Sequence, residues 1–287
     1  MNRISKIVIS TALALACIAG TACAEFDADK SITVISREEG SGTRGAFVEL
    51  TGVEQKIDGN KVDMTTEDAQ ITNSTAVMLS TVAGDPYAIG YVSLGSLNDT
   101  VKAVLVEGVE ATAANVADGS YVLARPFNIA YREDTLSDLG RDFIAYVMSA
   151  EGQTIINDKG YVGNADAPAY EGTLPGGKLV VAGSSSVSPV MEKLIEAYLA
   201  VNTNAKIELQ TSDSTTGMTS AIDGTCDIGM ASRELKEEEA AVLTGTAIAM
   251  DGIAVIVSNE NPADELSKAQ IAAIYTGETT VWSEIAQ

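Results

Sequence analysis

Histidine is absent from all 287 residues of the chain. The chain therefore lacks the residue that most often acts as general base for a serine or cysteine nucleophile. The Gly-x-x-x-x-Gly-Lys-Ser/Thr pattern of nucleotide-binding phosphate loops is also absent. We therefore expect a protein that is not an enzyme, has no catalytic residues and holds its ligand without chemical turnover.

Cysteine and basic residues are scarce. Cys17 and Cys23 lie in the N-terminal segment described next, so only Cys226 remains beyond it, and we expect it to fill a core position. One cysteine excludes a disulfide framework and a zinc site, and we expect neither a metal nor a cofactor. The chain contains 18 lysines and arginines and 40 acidic residues, which gives a net charge of −22. A charge of this sign argues against nucleic acid or an anionic membrane surface as a partner.

Residues 1–24 have the organisation of a secretory signal peptide. Arg3 and Lys6 precede an apolar run over residues 7–22, and Ala-Cys-Ala at residues 22–24 matches a cleavage site. The apolar run is short for a membrane span. We therefore expect an exported protein, periplasmic or extracellular. Lipid attachment at Cys23 is an alternative, although the position three residues earlier holds glycine instead of the expected leucine.

The rest of the chain alternates apolar and polar stretches, as α/β proteins do. Its length suffices for one large domain or two lobes with their own cores. A polar stretch over residues 52–73 is interpreted as a loop, and the proline- and glycine-rich residues 164–177 as a linker. Strands are expected near residues 32–35, 89–92, 101–106, 120–131, 179–182, 207–209, 227–233 and 247–258, and helices near 46–50, 74–83, 136–148, 152–157 and 267–275.

Three segments combine a strand, a turn rich in glycine and hydroxyl side chains, and a helix start. They centre on residues 40–43 (Gly-Ser-Gly-Thr), 183–186 (Gly-Ser-Ser-Ser) and 214–217 (Ser-Thr-Thr-Gly). A helix N-terminus offers free N–H groups and the positive end of its dipole to an anion. Arg37 or Arg44 would add a charged fork for an oxyanion. Plain helix capping explains any one of these turns, but three together predict an anion site.

Four segments also resemble the phosphate-binding proteins, the extracytoplasmic receptors of bacterial phosphate ABC transporters: residues 37–43, 183–186, 214–217 and 227–233. The resemblance extends to residues 250–255 and 274–282, and so covers nearly all of the chain after the signal peptide. It implies an α/β, two-lobed periplasmic-binding-protein fold with a hinge of crossing strands. It also implies a monomer that holds inorganic phosphate in the cleft and has an ABC permease in the membrane as its partner. The lobes are expected at residues 26–122 with 256–287, and at 123–255.

The order of these segments differs from that of the family. The Gly-Ser-Ser-Ser segment comes first in the family, and the segment like residues 274–282 directly precedes the one like residues 37–43. The chain therefore resembles a circular permutant whose ancestral termini are joined through residues 164–177. Such a rearrangement is tolerated where the old ends lie close together and the new ends fall in an exposed loop.

The resemblance also implies the ligand contacts. By position they fall on Arg37, Ser41, Gly42, Thr43, Ser185, Ser186 and Ser214. Arg233 stands where family members often place an aspartate that accepts the phosphate proton. Arginine adds attraction for an anion but cannot accept a hydrogen bond. We therefore expect Asp251 or Asp213 to accept that proton.

Three other functions stay open at this point. A receptor for sulfate, molybdate or tungstate would use the same kind of turns. A secreted phosphoryl-transfer enzyme would need a metal cluster or an activated nucleophile, which the sequence does not suggest. A structural or adhesive role would leave the three turns as a coincidence.

Overall fold

The computed structural model describes residues 26–285, so the expected signal peptide, the Cys23 alternative and the last two residues lie outside the described part. Within these residues the elements alternate as expected for an α/β protein. The strands are β1 (Thr33–Arg37), β2 (Glu54–Ile57), β3 (Asn60–Asp63), β4 (Gln70–Thr72), β5 (Ala88–Ser93), β6 (Val101–Ala103), β7 (Leu105–Val106), β8 (Ala124–Tyr131), β9 (Gly177–Ser184), β10 (Ala205–Ser212), β11 (Ile228–Ala231), β12 (Thr244–Ser258) and β13 (Glu265–Leu266). The helices are α1 (Gly42–Thr51), α2 (Thr75–Ala83), α3 (Ala113–Ala117), α4 (Asp138–Val147), α5 (Ala150–Asp158), α6 (Ser188–Val201), α7 (Ser214–Asp223), α8 (Glu237–Ala240) and α9 (Lys268–Thr276), with 3-10 turns at Leu94–Ser96 and Trp282–Glu284.

One nine-stranded mixed sheet runs through the molecule, in the order β10-β9-β11-β8-β12-β5-β1-β4, with β6 pairing the end of β12. Strand β12 is 15 residues long. Its residues 244–252 pair with β8, and its residues 253–258 pair with β5 and β6. Because β12 belongs to both halves of the sheet, it crosses between them. Strand β8 begins at the point where β12 changes partners, since its first residue, Ala124, pairs with Gly252. We call β12 and β8 the crossing strands.

Two large hydrophobic clusters lie on the two sides of the place where β12 passes from one half of the sheet to the other. One contains buried side chains of β1, α1, α2, β5, α9 and the end of β12. The other contains those of β8, α4, α6, β9 and the start of β12. A smaller third cluster beneath α7 includes Cys226, which is buried as expected. The two-lobed α/β architecture is thus seen in the packing, while the lobe limits at 122/123 and 255/256 stay a prediction.

The helices form where capping residues meet an apolar face. In α4, Ser137 caps the N-terminus, and Leu139, Phe143 and Val147 fall on one buried face. In α1, the cap is Ser41, and the helix ends at Gly52 in the left-handed conformation. The residue spacing therefore predicted these helices, with boundaries shifted by a few residues at most. Among residues 26–285, no helix combines the length and apolar character needed to cross a membrane.

The interpretation of residues 52–73 as a loop was wrong. Strands β2 and β3 form a hairpin there, and β4 pairs in parallel with β1 at the edge of the main sheet. The hairpin turn is Asp58-Gly59, with φ of 51° and 86°. Two positive φ values and an Asp-Gly pair are typical of the tight turn that joins antiparallel strands. The hairpin has mostly exposed side chains, so no apolar alternation announced its strands.

One other strand prediction needs correction, and β8 contains a proline. The expected strand over residues 101–106 is divided, because β6 pairs with β12 and β7 with β13. Pro126 lies within β8, between β11 and β12. Strand β11 pairs only with residues 128–130 of β8, so Pro126 has a strand partner on the β12 side alone. A proline is tolerated there because no ladder hydrogen bond needs its missing N–H.

The linker-like segment is irregular up to the start of β9, as expected, and it joins α5 to β9. The buried carboxylate of Asp142 holds it in place. Asp142 accepts hydrogen bonds from the Tyr170 hydroxyl at 2.5 Å, the Thr173 amide at 2.7 Å and the Tyr198 hydroxyl at 2.7 Å. Burial alone would raise the pKa of Asp142, but these hydrogen bonds outweigh it and hold the pKa below its usual value.

The two ends of the described chain pack together on the side of the first cluster. The Ile32 amide donates to the Thr280 carbonyl, and the Ser283 amide to the Ala28 carbonyl, each at 2.8 Å. Strand β1 also shares its sheet with the end of β12. This is the proximity that a permuted order requires. The circular permutation stays a prediction.

Candidate anion-binding site

Four turns that lead into helices lie close together beside β8 and β12, where the two halves of the sheet join. Three of these helices, α1, α2 and α7, are capped by Ser41, Ser74 and Asp213, whose side chains accept from backbone amides of the first turn. The fourth turn is the triple serine that precedes α6. In α1, α2 and α7 a side-chain cap is therefore already in place without the hydroxyl groups that follow it, whereas α6 has no side-chain cap. Plain N-capping does not account for those hydroxyls.

Seven buried hydroxyl groups, the hydroxyl cluster, come together from these turns and from the end of β11. The closest pair is Thr43 Oγ1 and Ser186 Oγ, 2.9 Å apart. Thr43 Oγ1 and Ser184 Oγ also lie 3.2 and 3.0 Å from Ser232 Oγ. All the members are at most 7% exposed: Thr43, Thr75, Ser184, Ser185, Ser186, Ser214 and Ser232.

The hydroxyl cluster is built from both sides of the crossing. Thr43 and Thr75 belong to α1 and α2, which pack on the first hydrophobic cluster. The serines come from the turn after β9, the start of α7 and the end of β11. Thr75 Oγ1 lies 3.2 Å from Ser186 Oγ, so this contact also joins the two sides. Any movement of one side relative to the other must break these contacts.

Two buried guanidinium groups border the hydroxyl cluster. Arg37 donates from Nη2 to Ser185 Oγ at 3.1 Å, and its Nε and Nη2 bind the Glu38 carboxylate at 2.7 and 2.6 Å. Arg125 donates from Nη2 to Thr43 Oγ1 at 3.2 Å, and its Nη1 binds the carboxylate of Asp251. Both arginines are at most 4% exposed. Each therefore brings a fixed donor to the hydroxyls together with a paired negative charge.

The guanidinium of Arg233 has a different orientation. It binds both carboxylate oxygens of Glu239 at 2.7 Å and reaches Thr215 Oγ1 only at 3.4 Å. Burial alone would raise the pKa of Glu239, but the hydrogen bonds from Arg233 and from the Lys236 amide hold it below its usual value. Arg233 thus lies at the edge of the hydroxyl cluster, and its guanidinium is paired with Glu239.

Gly42 allows the two sides to approach closely. An ideal Cβ at this position would lie 2.4 Å from Ser214 Oγ and 2.9 Å from Ser232 Oγ. Real Cβ atoms do not approach other atoms so closely, and both neighbours belong to the opposite side of the crossing. Gly42 is therefore required by the contact between the two sides, since its own φ lies outside the left-handed region.

The structure brings together most of the residues expected from the sequence. Arg37, Thr43, Ser185, Ser186 and Ser214 meet at the hydroxyl cluster. Gly42 packs against Ser214, and Ser41 caps α1. The two expected proton acceptors are engaged elsewhere. Asp251 accepts from the Leu94 amide at 3.1 Å and from Arg125, and complete burial raises its pKa although Arg125 opposes this. Asp213 accepts from the Thr216 amide and hydroxyl at 2.8 and 2.6 Å.

Four residues of the site were not identified from the sequence: Thr75, Ser184, Ser232 and Arg125. Thr75 follows a strand and a serine cap, which is the same arrangement as in the other turns. It was missed because β4 had been interpreted as part of a loop. Ser232 lies inside a segment that had been singled out for Arg233. Arg125 lies in the expected strand over residues 120–131, directly before Pro126, and has no glycine- or serine-rich turn beside it.

The charges around the site nearly cancel. Arg37, Arg125 and Arg233 are paired with Glu38, Asp251 and Glu239, and the chain as a whole is strongly negative. An anion here would therefore be held by oriented donors and helix N-termini more than by net positive charge. Within residues 26–285, no group of three or more potential metal ligands was found.

Comparisons with known proteins identify the family. A family model described as a PBP superfamily domain matches residues 18–151 and 166–287. A phosphate-binding protein PstS 2 of Streptococcus agalactiae is 48% identical over 289 residues, which cover 100% of this chain and 99% of the relative. A phosphate-binding protein PstS 2 of Streptococcus pneumoniae is 46% identical, with 94% of this chain and 93% of the relative covered.

The fold comparison agrees. The crystal structure of a phosphate-binding protein of a phosphate ABC transporter from Streptococcus pneumoniae matches with a TM-score of 0.71 and 47% identity. It covers 89% of this chain and 100% of the other. These alignments span nearly whole chains, so the segment order seen here is shared with these relatives. The chain belongs to the phosphate-binding protein family of the PBP superfamily.

Proposed function

We propose that this protein is an extracytoplasmic receptor that captures inorganic phosphate between its two lobes and presents it to an ABC permease. The observation that carries the proposal is the hydroxyl cluster, in which donors from both sides of the crossing strands converge beside Arg37. The names of the full-length relatives support phosphate as the ligand. Among the residues expected from the sequence, we assign phosphate contacts to Arg37, Ser41, Gly42, Thr43, Ser185, Ser186 and Ser214.

Binding requires the lobes to separate and close again. Thr43 and Ser186 are within direct hydrogen-bond distance across the cleft, and a tetrahedral anion needs more room than one hydrogen bond provides. Phosphate would replace the contacts between hydroxyl groups with contacts from each lobe to its own oxygens. Closure then depends on interactions that only the closed, loaded state contains.

The expected affinity follows from the number of donors. A hydrogen bond to a charged group contributes about 1.5–3 kcal/mol, and several converge here. After the cost of ordering, such a set supports micromolar binding or better.

We propose that the receptor acts as an exported monomer and without catalysis. Attachment through Cys23 would tether it at the membrane, and cleavage before Glu25 would release it.

The test is calorimetric titration of residues 26–287 with phosphate and, separately, with sulfate. We expect micromolar or tighter phosphate binding, at least tenfold weaker binding in Ser186→Ala, and no change in Ser80→Ala, whose hydroxyl is exposed on α2. Tighter binding of sulfate than of phosphate would identify a receptor for a different oxyanion. No binding of either anion would refute the proposal.

A further inference from the structure

We propose that Arg125, a residue outside the segments that carry the family resemblance, is a direct anion ligand at the hinge of this receptor. The inference rests on the proposed function and extends it to the crossing strands. Its starting point is register: Arg125 of β8 is paired with Asp251 of β12. The hydrophobic packing changes from one cluster to the other at this level, since Phe127 belongs to the second cluster and Ile253 to the first.

The guanidinium of Arg125 is held on every side. Nη1 binds the Asp251 carboxylate and lies 3.3 Å from the carbonyl oxygens of Asp251 and Gly252. Nε lies 3.3 Å from the Ser232 carbonyl, and the guanidinium carbon stands 5.0 Å from the centre of the Phe127 ring. Three elements, β12, β8 and the end of β11, thus fix the group, and Nη2 remains directed at Thr43.

The direction of Nη2 distinguishes Arg125 from Arg233. Arg233 uses both terminal nitrogens on Glu239, so its fork is fully engaged by a carboxylate at the rim. Arg125 uses one terminal nitrogen on Asp251 and aims the other at Thr43 Oγ1, at 3.2 Å. An anion that hydrogen bonds to the Thr43 hydroxyl would lie beside Nη2. Because guanidinium donors form strong hydrogen bonds to oxyanions, we expect this contact to contribute strongly to affinity.

The location on the crossing strands adds a mechanical consequence. Thr43 is carried by α1 and Ser232 by the end of β11, so they separate when the lobes open. Arg125 is attached to the strands that both lobes share, and it stays at the hinge in either state. It would therefore meet the anion before closure and hold it while the hydroxyls of the two lobes close around it. Asp251 is the positioning residue that keeps Arg125 in this orientation.

The experiment uses residues 26–287 and three variants: Arg125→Gln, the double variant Arg125→Met/Asp251→Leu, and the control Arg132→Gln. Arg132 follows the same strand by one residue, but it is a surface residue paired with Asp134. The double variant replaces a buried ion pair by apolar groups of similar size, a change that is often neutral for stability. Phosphate titration gives affinity, and circular dichroism with thermal unfolding reports on the fold.

We expect both Arg125 variants to lose at least tenfold in phosphate affinity, while Arg132→Gln binds like the parent. Parent-like affinity, within threefold, in either folded Arg125 variant would overturn the assignment. Failure of the double variant to fold would also overturn it, because the pair would then serve the core of the crossing strands. If the parent protein bound no phosphate, the proposed function itself would be refuted. If the parent bound phosphate and an Arg125 variant bound it equally well, only the assignment of Arg125 would be refuted.

Discussion

We expect Gly42→Ala to weaken closure of the cleft, and therefore phosphate binding, without destabilising the fold. Gly42 is the first residue of α1, and its added Cβ would lie 2.4 Å from Ser214 Oγ, whereas ordinary contacts begin at 3.4 Å. The shortfall is about 1 Å. Rotation of the Ser214 hydroxyl would break the hydrogen bond that this hydroxyl accepts from the Ser232 amide at 3.1 Å. It would also leave the second close contact, because Ser232 Oγ lies only 2.9 Å from the new Cβ.

A displacement of about 1 Å has a calculable effect on binding. It would lengthen the Thr43–Ser186 contact from 2.9 Å to about 3.9 Å, beyond hydrogen-bond distance. If one anion contact is lost in the same way, about 1.5–3 kcal/mol disappears, which corresponds to a loss in affinity of about 10- to 150-fold. Folding should not suffer, because within its own helix alanine is favoured over glycine.

The matched control is Gly45→Ala in the same helix. Gly45 is exposed, and its added Cβ would contact nothing within 4 Å. Alanine there should stabilise the fold by about 0.5–1 kcal/mol and leave binding unchanged. Titration with phosphate and thermal unfolding of both variants complete the test. Equal phosphate affinities of Gly42→Ala and Gly45→Ala, within threefold, would refute the reasoning about cleft contact.

Three further predictions concern the site, the linker and the sheet. Arg37→Ala should weaken phosphate binding at least tenfold while the unfolding temperature changes little, and unchanged affinity would contradict its assignment. Asp142→Asn should lower the unfolding temperature at pH 7, and the deficit should shrink as the pH falls below about 4, because a carboxyl with a lowered folded-state pKa stabilises only while ionised. A deficit that is constant from pH 7 to pH 3 would contradict this linkage. Gly183→Ala, at φ 132° with the new Cβ 2.4 Å from the Met230 carbonyl oxygen, should destabilise the fold by about 3 kcal/mol or more in chemical denaturation, and a cost below about 1 kcal/mol would contradict it.

Elements with a strong local pattern could be predicted from the sequence. The helix with Leu139, Phe143 and Val147 at helical spacing and the long apolar strand before Ser258 are examples, because burial of one face or of both faces leaves a visible period. Residues 52–73 could not be predicted in this way. Their strands are short and largely exposed, so only the Asp58-Gly59 turn marked them.

The site divides along similar lines. Turns with several glycines and serines could be recognised locally, and these turns contain Thr43, Ser186 and Ser214. The contribution of Arg125 depends on the pairing of β8 with β12, which joins residues more than a hundred positions apart. No local pattern reports such a pairing. The same pairing explains why Asp251, expected as a proton acceptor, has its carboxylate bound by a guanidinium.

The central claim is that phosphate lies at the hydroxyl cluster, between the two lobes. The most direct measurement is a crystal structure of residues 26–287 grown with phosphate. The account predicts a tetrahedral anion within hydrogen-bond distance of Thr43, Ser186 and Arg37, with both lobes contributing contacts. Phosphate bound at another place, or at this place with contacts from one lobe alone, would contradict it.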